Sequence, residues 1–314
     1  MTSTRPLDLP PTRRRRALRR LREVPVLPSL VTLGNLFFGF LAVSKVADAL
    51  RLAQPGAPFA AVVSLFELAA ILVFVAMVFD ALAGRVARMT NQATPFGAQL
   101  DSLADMVTFG MVPAFLGKVL VDWHAQVDGN TLLPMHPKLF YAAAAVYVLC
   151  AALRLARFNV ETTTDEADHQ EFRGLPSPAA AAVVCSLIAL FCTKENPDSL
   201  GRTWLPPGFY AGIVQAMPWV LVGLGLLMVS RVPYPHAMHS ILRKRHSMPF
   251  LAGLVLFLIV GALEWQMALA AVTVGYVAIG TVVGGLRYLV RRGRDDDDDE
   301  DGDELPVRIE PSRN

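Results

Sequence analysis

The chain has 314 residues, 54% of them hydrophobic and 18% charged, with a mean hydropathy of +0.42. That is too much apolar surface for an ordinary water-soluble enzyme and points to a polytopic membrane protein. Its formal charge of +2 is a cancellation of two tails: eight arginines between Arg5 and Arg22, and nine acids in the ten residues from Asp295 to Glu304.

Taken from the N-terminus, residues 1–24 read as a basic cytoplasmic tail whose arginines are topogenic, with anionic lipid head groups as a secondary contact and no nucleic-acid partner. The apolar run that follows is too long for the hydrophobic part of a signal peptide, so it is expected to remain as a first span. A hydrocarbon core of roughly 30 Å takes about 20 apolar residues per helix. Eight such windows fit, near 30–50, 59–83, 98–122, 139–157, 177–193, 208–230, 248–264 and 266–290. With the N-terminus inside, 21 arginines and lysines fall on the cytoplasmic side and five on the other, which predicts both termini in the cytoplasm. The expected fold class is an all-α polytopic membrane protein, with residues 25–290 as its transmembrane domain. Residues 291–314 are too acidic to bury a core and are expected to form a disordered tail.

Cys150, Cys185 and Cys192 lie in apolar runs without a CxxC pair, which argues against a disulfide framework or a zinc site. The six histidines form no ligand pair and are expected at the surface.

Carboxylates inside spanning segments are costly, so those present are functional candidates. They cluster in VFDALAGRVARMTNQATPFGAQLDSLADMVTFG, which starts at Val78 and joins the second span to the third. On a helix Asp80, Gly84, Ala87 and Arg88 share one face; Gly97, Asp101 and Asp105, spaced by four, share a face of the next. Two antiparallel helices then point carboxylates at each other, and Gly84 and Gly97 leave room for a backbone or a phosphate. A carboxylate set without soft ligands suits Mg²⁺ or Mn²⁺ holding substrate phosphates. The competing reading is a structural ion-pair network with Arg85 and Arg88.

These positions resemble the motif of the CDP-alcohol phosphatidyltransferase family, D-x-x-D-G-x-x-A-R, eight residues, G-x-x-x-D-x-x-x-D. Asp80, Gly84, Ala87, Arg88, Gly97, Asp101 and Asp105 all match it, and Ala83 stands where the family has its second aspartate. LPSLVTLGNLFFGF at the first span, RLARFNVE from Arg154 and FRGLPSPAAA from Phe172 are similar to the membrane-integral phosphatidylserine synthases of bacteria and archaea. The resemblance implies a divalent metal, Mg²⁺ or Mn²⁺, held by Asp80, Asp101 and Asp105, with Asp101 and Asp105 catalytic and Asp105 the base that deprotonates the acceptor alcohol. It implies CDP-diacylglycerol and L-serine as substrates, a lipid bilayer as the setting and a homodimer. In the family the metal centre is dinuclear, so Ala83 removes one ligand; Glu67, 16 residues earlier and roughly 24 Å along the helix, does not replace it.

Around this centre, Asn35 either lines the nucleotide site or bonds to a neighbouring span. Arg154 and Arg157 either anchor a span end by snorkelling or, with Asn159 and Arg173, bind a serine carboxylate or lipid phosphate. Gly84, Arg88 and Gly97 complete the expected substrate-binding set. The expected activity is transfer of the phosphatidyl group of CDP-diacylglycerol to L-serine, giving phosphatidylserine and CMP. Two alternatives are the same chemistry on another alcohol and a weakly active or inactive protein weakened by Ala83. A transporter fits less well, since the acids sit at one edge and not at the midplane between repeats.

Overall fold

Inside a bilayer a chain must satisfy its own backbone polar groups, which favours helices. In the computed structural model, every regular element among the described residues is a helix. The structure describes residues 26–53, 58–92, 94–128, 137–164, 174–195, 205–230, 232, 261 and 263–300. The elements are α1 (Val26–Leu52), α2 (Phe59–Met89), α3 (Pro95–Asp105), a π-helical turn (Met106–Met111), α4 (Val112–Asp128), α5 (Pro137–Thr164), α6 (Ser177–Cys192), a 3-10 turn (Thr193–Glu195), α7 (Pro207–Val229) and α8 (Trp265–Glu300).

Six of these stretches are long and apolar enough to cross a membrane, with α3, the π turn and α4 running together as one, and α6 is a shorter apolar helix. The chain is therefore a multi-pass helical membrane protein. Seven of the eight expected spans coincide with these helices; the window at 248–264 lies almost wholly outside the described residues. Residues 1–24, expected to be a basic tail, also lie outside them. The backbone of α8 stays helical to Glu300, ten residues into the stretch expected to be disordered, because extending an existing helix needs no new nucleus.

The turn between α2 and α3 sets the geometry of the acidic cluster. Asn91 has a left-handed φ of 55°. Its N–H bonds Arg88 O at 3.3 Å, and Gln92 N–H bonds Ala87 O at 3.1 Å, the paired bonds of a Schellman stop. Three residues on, Thr94 caps α3 by accepting from Gly97 N–H at 3.1 Å, with Pro95 in the first turn where its missing N–H costs nothing. The eight residues between Arg88 and Gly97 thus contain one helix stop and one helix start, which turn the chain so that α2 and α3 both pack against α1.

Close approach of α1 seals this hairpin. A Cβ on Gly34 would lie 2.5 Å from the ring of Phe79, the neighbour of Asp80, and a Cβ on Gly39 would collide with Thr108 in the π turn. Phe38 and Phe79 stack with ring centroids 4.9 Å apart. The three cysteines are buried and free, in keeping with packing roles. His124 corrects the expectation of surface histidines: it is 7% exposed, with its ring edge-on to Phe191, because its helix turns it toward α6 and not outward. The other five histidines lie outside the described residues.

Candidate active site

Asp80 comes from α2, and Asp101 and Asp105 from α3. One carboxylate oxygen from each lies within 4.8 Å of the others, and all three residues are half-buried. Two unit negative charges at that separation repel by about 3.5 kcal/mol at an effective dielectric of about 20, so three in one place need a strong counter-charge. Arg85 and Arg88 do not supply it. Both are exposed, and among the described residues neither forms an ion pair with the aspartates. The structural ion-pair reading is thereby excluded for these residues, and the all-oxygen set fits one hard dication with coordination positions left for substrate oxygens or water.

Ala83, on the same helix as Asp80, is 3% exposed and offers no oxygen. Glu67 is engaged elsewhere, accepting from Gln266 Nε2 at 3.0 Å. Among the described residues, Asp80, Asp101 and Asp105 are the only grouped metal-ligand candidates.

Asn35 is fully buried and donates from Nδ2 to Asp105 Oδ1 at 3.1 Å, while its own Oδ1 has no partner among the described residues. It is bonded to a neighbouring span, as one reading expected, but its partner there is the candidate base. Arg154 on α5 is half-buried and donates from Nη1 to Ser177 Oγ at 2.8 Å. Asn159 accepts from Ser102 Oγ at 3.0 Å, which ties the end of α5 to the turn of α3 between Asp101 and Asp105. Arg157 is half-buried on the same helix. A Cβ on Gly84 would meet nothing within 4 Å, so no protein contact demands glycine there and the space beside α2 is open. Gly97 serves the cap of α3 through its N–H. Arg173 lies outside the described residues.

Sequence reasoning missed Ser102 and Ser177. Ser177 sits in the GLPSP segment already singled out, but nothing local ties it to Arg154, 23 residues earlier.

A helical membrane protein with three converging aspartates at one end of its bundle defines the class. Residues 25–229 match the family model for CDP-alcohol phosphatidyltransferase, and the chain belongs to that family of transferases. It is 32% identical over 209 residues to the CDP-diacylglycerol–serine O-phosphatidyltransferase of Helicobacter pylori strain J99, covering 67% of this chain and 71% of the relative. The protein of that name from Mycobacterium leprae is 31% identical over 275 residues, covering 86% and 74%. The archaetidylserine synthase of Methanothermobacter thermautotrophicus is 28% identical over 219 residues, covering 69% and 72%.

Proposed function

We propose that this protein transfers the phosphatidyl group of CDP-diacylglycerol to L-serine, giving phosphatidylserine and CMP, at the cytoplasmic face of the inner membrane. The observation that carries the reading is the convergence of Asp80, Asp101 and Asp105 within 4.8 Å, with Asn35 bonded to Asp105. The names of the relatives add serine as the acceptor.

Asp80, Asp101 and Asp105 would hold Mg²⁺ or Mn²⁺, which when bound supplies charge for the donor's pyrophosphate and for the leaving CMP. Asp105 accepts the serine hydroxyl proton as the new O–P bond forms and the P–O bond to CMP breaks. Asn35 fixes the Asp105 carboxylate from the side of α1, which keeps its other oxygen available. Gly84 leaves α2 open for the diphosphate to approach, and Arg88 lies at the exposed end of that helix. Arg154, with Arg157, Asn159 and Arg173, receives the serine carboxylate, since a guanidinium binds a carboxylate through two parallel hydrogen bonds. A homodimer is the assembly that fits the family resemblance.

Incubating proteoliposomes with CDP-diacylglycerol, Mn²⁺ and labelled serine, glycerol phosphate or inositol phosphate tests the acceptor. Labelled phosphatidylserine and equimolar CMP are expected; CMP release with another acceptor alone would sink the serine assignment. The weakly active alternative has Ala83 in its favour, but three of the motif's four aspartates still converge on one point.

A further inference from the structure

Ser177 opens α6 but does not cap it. Pro176 is the N-cap residue and makes no side-chain capping bond, and Ser177 itself is fully buried. A serine at a helix start ordinarily spends its hydroxyl on the backbone. Here the hydroxyl oxygen accepts from Arg154 Nη1 at 2.8 Å, and among the described residues it is the only hydrogen-bond partner of that guanidinium. Arg154 Nε is buried and has no partner among the described residues. The guanidinium is therefore held at one nitrogen and left with unspent donors, on the helix whose end Asn159 ties to α3 between Asp101 and Asp105.

The loop before Ser177 is built to a fixed shape. Gly174 has a φ of +90°, and a Cβ there would lie 2.5 Å from Met228 O and 2.9 Å from Ser230 O. Gly174 N–H bonds Val232 O at 2.9 Å, and Leu175 N–H bonds Leu227 O at 3.0 Å. The C-terminal end of α7 thus clamps the two residues that precede Pro176, and Pro176 and Pro178 stiffen the entry to α6. The five N–H donors at the end of a flexible arginine stem need such an anchor if they are to meet a planar two-oxygen anion in one orientation.

We propose that Ser177 is a positioning residue that sets acceptor specificity: it holds the Arg154 guanidinium in one orientation so that the remaining N–H donors receive the carboxylate of the incoming alcohol. This rests on the serine-transfer reading, in which Arg154 meets that carboxylate. Ser177 touches no reacting atom; it acts through Arg154.

The test uses the full chain in proteoliposomes with CDP-diacylglycerol and Mn²⁺, comparing native protein with Ser177→Ala, Ser177→Cys and Ser177→Thr. Rates are measured against L-serine and against ethanolamine, an alcohol without the carboxylate, with thermal midpoints alongside. Losing one hydrogen bond to a charged group should raise KM for serine about tenfold in the Ala and Cys variants. The KM for CDP-diacylglycerol and the rate measured with ethanolamine should stay as in the native protein, and Thr, which keeps the hydroxyl, should restore the serine KM. The Cys variant keeps the volume, so it reads the hydrogen bond even where Ala unfolds. Equal losses with both acceptors, or an unchanged serine KM, would overturn the role of Ser177 while leaving serine transfer intact. If native protein makes no phosphatidylserine, the serine reading falls and this inference falls with it.

Discussion

Asn35 and Asp105 stand 70 residues apart in the chain and are joined by a 3.1 Å hydrogen bond from the amide Nδ2 to carboxylate Oδ1. Because Asn35 is fully buried, its donor has no competing water, and the bond fixes the carboxylate proposed as the base. The backbone nearby is fixed as well: Thr108 Oγ1 reaches Asn35 O at 3.4 Å from the π turn that follows Asp105. A π turn beside a functional carboxylate is a common placement for that geometry.

Asn35→Ala should therefore lower the rate of CMP release by about 10- to 100-fold, the loss of one hydrogen bond to a charged group of roughly 1.5–3 kcal/mol. Asp105→Asn should cost more, about 10²- to 10⁴-fold, because the proton acceptor itself is gone. Steady-state CMP release in proteoliposomes reads both. An Asn35→Ala enzyme as fast as native would remove Asn35 from the catalytic account.

The α2–α3 hairpin can be tested apart from chemistry. Asn91 holds a left-handed φ that β-branched residues resist at a cost of about 1–2 kcal/mol, while glycine adopts it freely. Asn91→Val should lower the thermal midpoint and, by loosening the hairpin, weaken activity; Asn91→Gly should preserve both. Thr94→Ala should cost about 1 kcal/mol through the lost cap of α3. Equal midpoints for the Val and Gly variants would show that the Schellman turn does not set this geometry.

Much of this site was legible in the sequence because its determinants are local. Asp101 and Asp105, four residues apart, share a helix face whatever the tertiary structure, and Thr94-Pro95 is a helix-start signal in its own right. The span positions followed from apolar run length alone. Contacts that depend on how helices pack were out of reach: Ser177 against Arg154, Ser102 against Asn159, and the burial of His124. The sequence leaves two readings open for Asn35; the close packing of Gly34 on Phe79 and the bond to Asp105 place it at the acidic cluster. The π turn also escaped, since Met106–Met111 carries an ordinary apolar helical pattern.

Gly174→Ala should be severely disruptive. The new Cβ would meet the Met228 carbonyl oxygen at 2.5 Å, and the φ of +90° is strained for any residue with a Cβ. The backbone clash cannot be relieved by rotating a side chain, so the loop has to leave the end of α7 and carry Ser177 with it. Lower folded yield is expected, with a raised serine KM in whatever protein folds. A variant with native yield and native KM would show that the loop anchors nothing that matters to the acceptor.

The number of ions the acidic site holds is set by its charge. Two dications about 4 Å apart repel by about 17 kcal/mol at an effective dielectric of about 20, so a pair of them needs several bridging or flanking carboxylates. Asp80, Asp101 and Asp105 bring three negative charges to one point, and buried Ala83 brings none. Native protein titrated with Mn²⁺ in the absence of donor should therefore bind one ion per chain, with the resolved six-line electron paramagnetic resonance pattern of an isolated Mn²⁺. Ala83→Asp adds a carboxylate less than one helical turn from Asp80, and it should admit a second ion whose coupling broadens that pattern. Two ions in the native protein would mean that another residue supplies the missing oxygen. One ion in both proteins would mean that position 83 does not face the metal. Because the readout is stoichiometry and spectrum, it holds whether or not the added aspartate speeds the reaction.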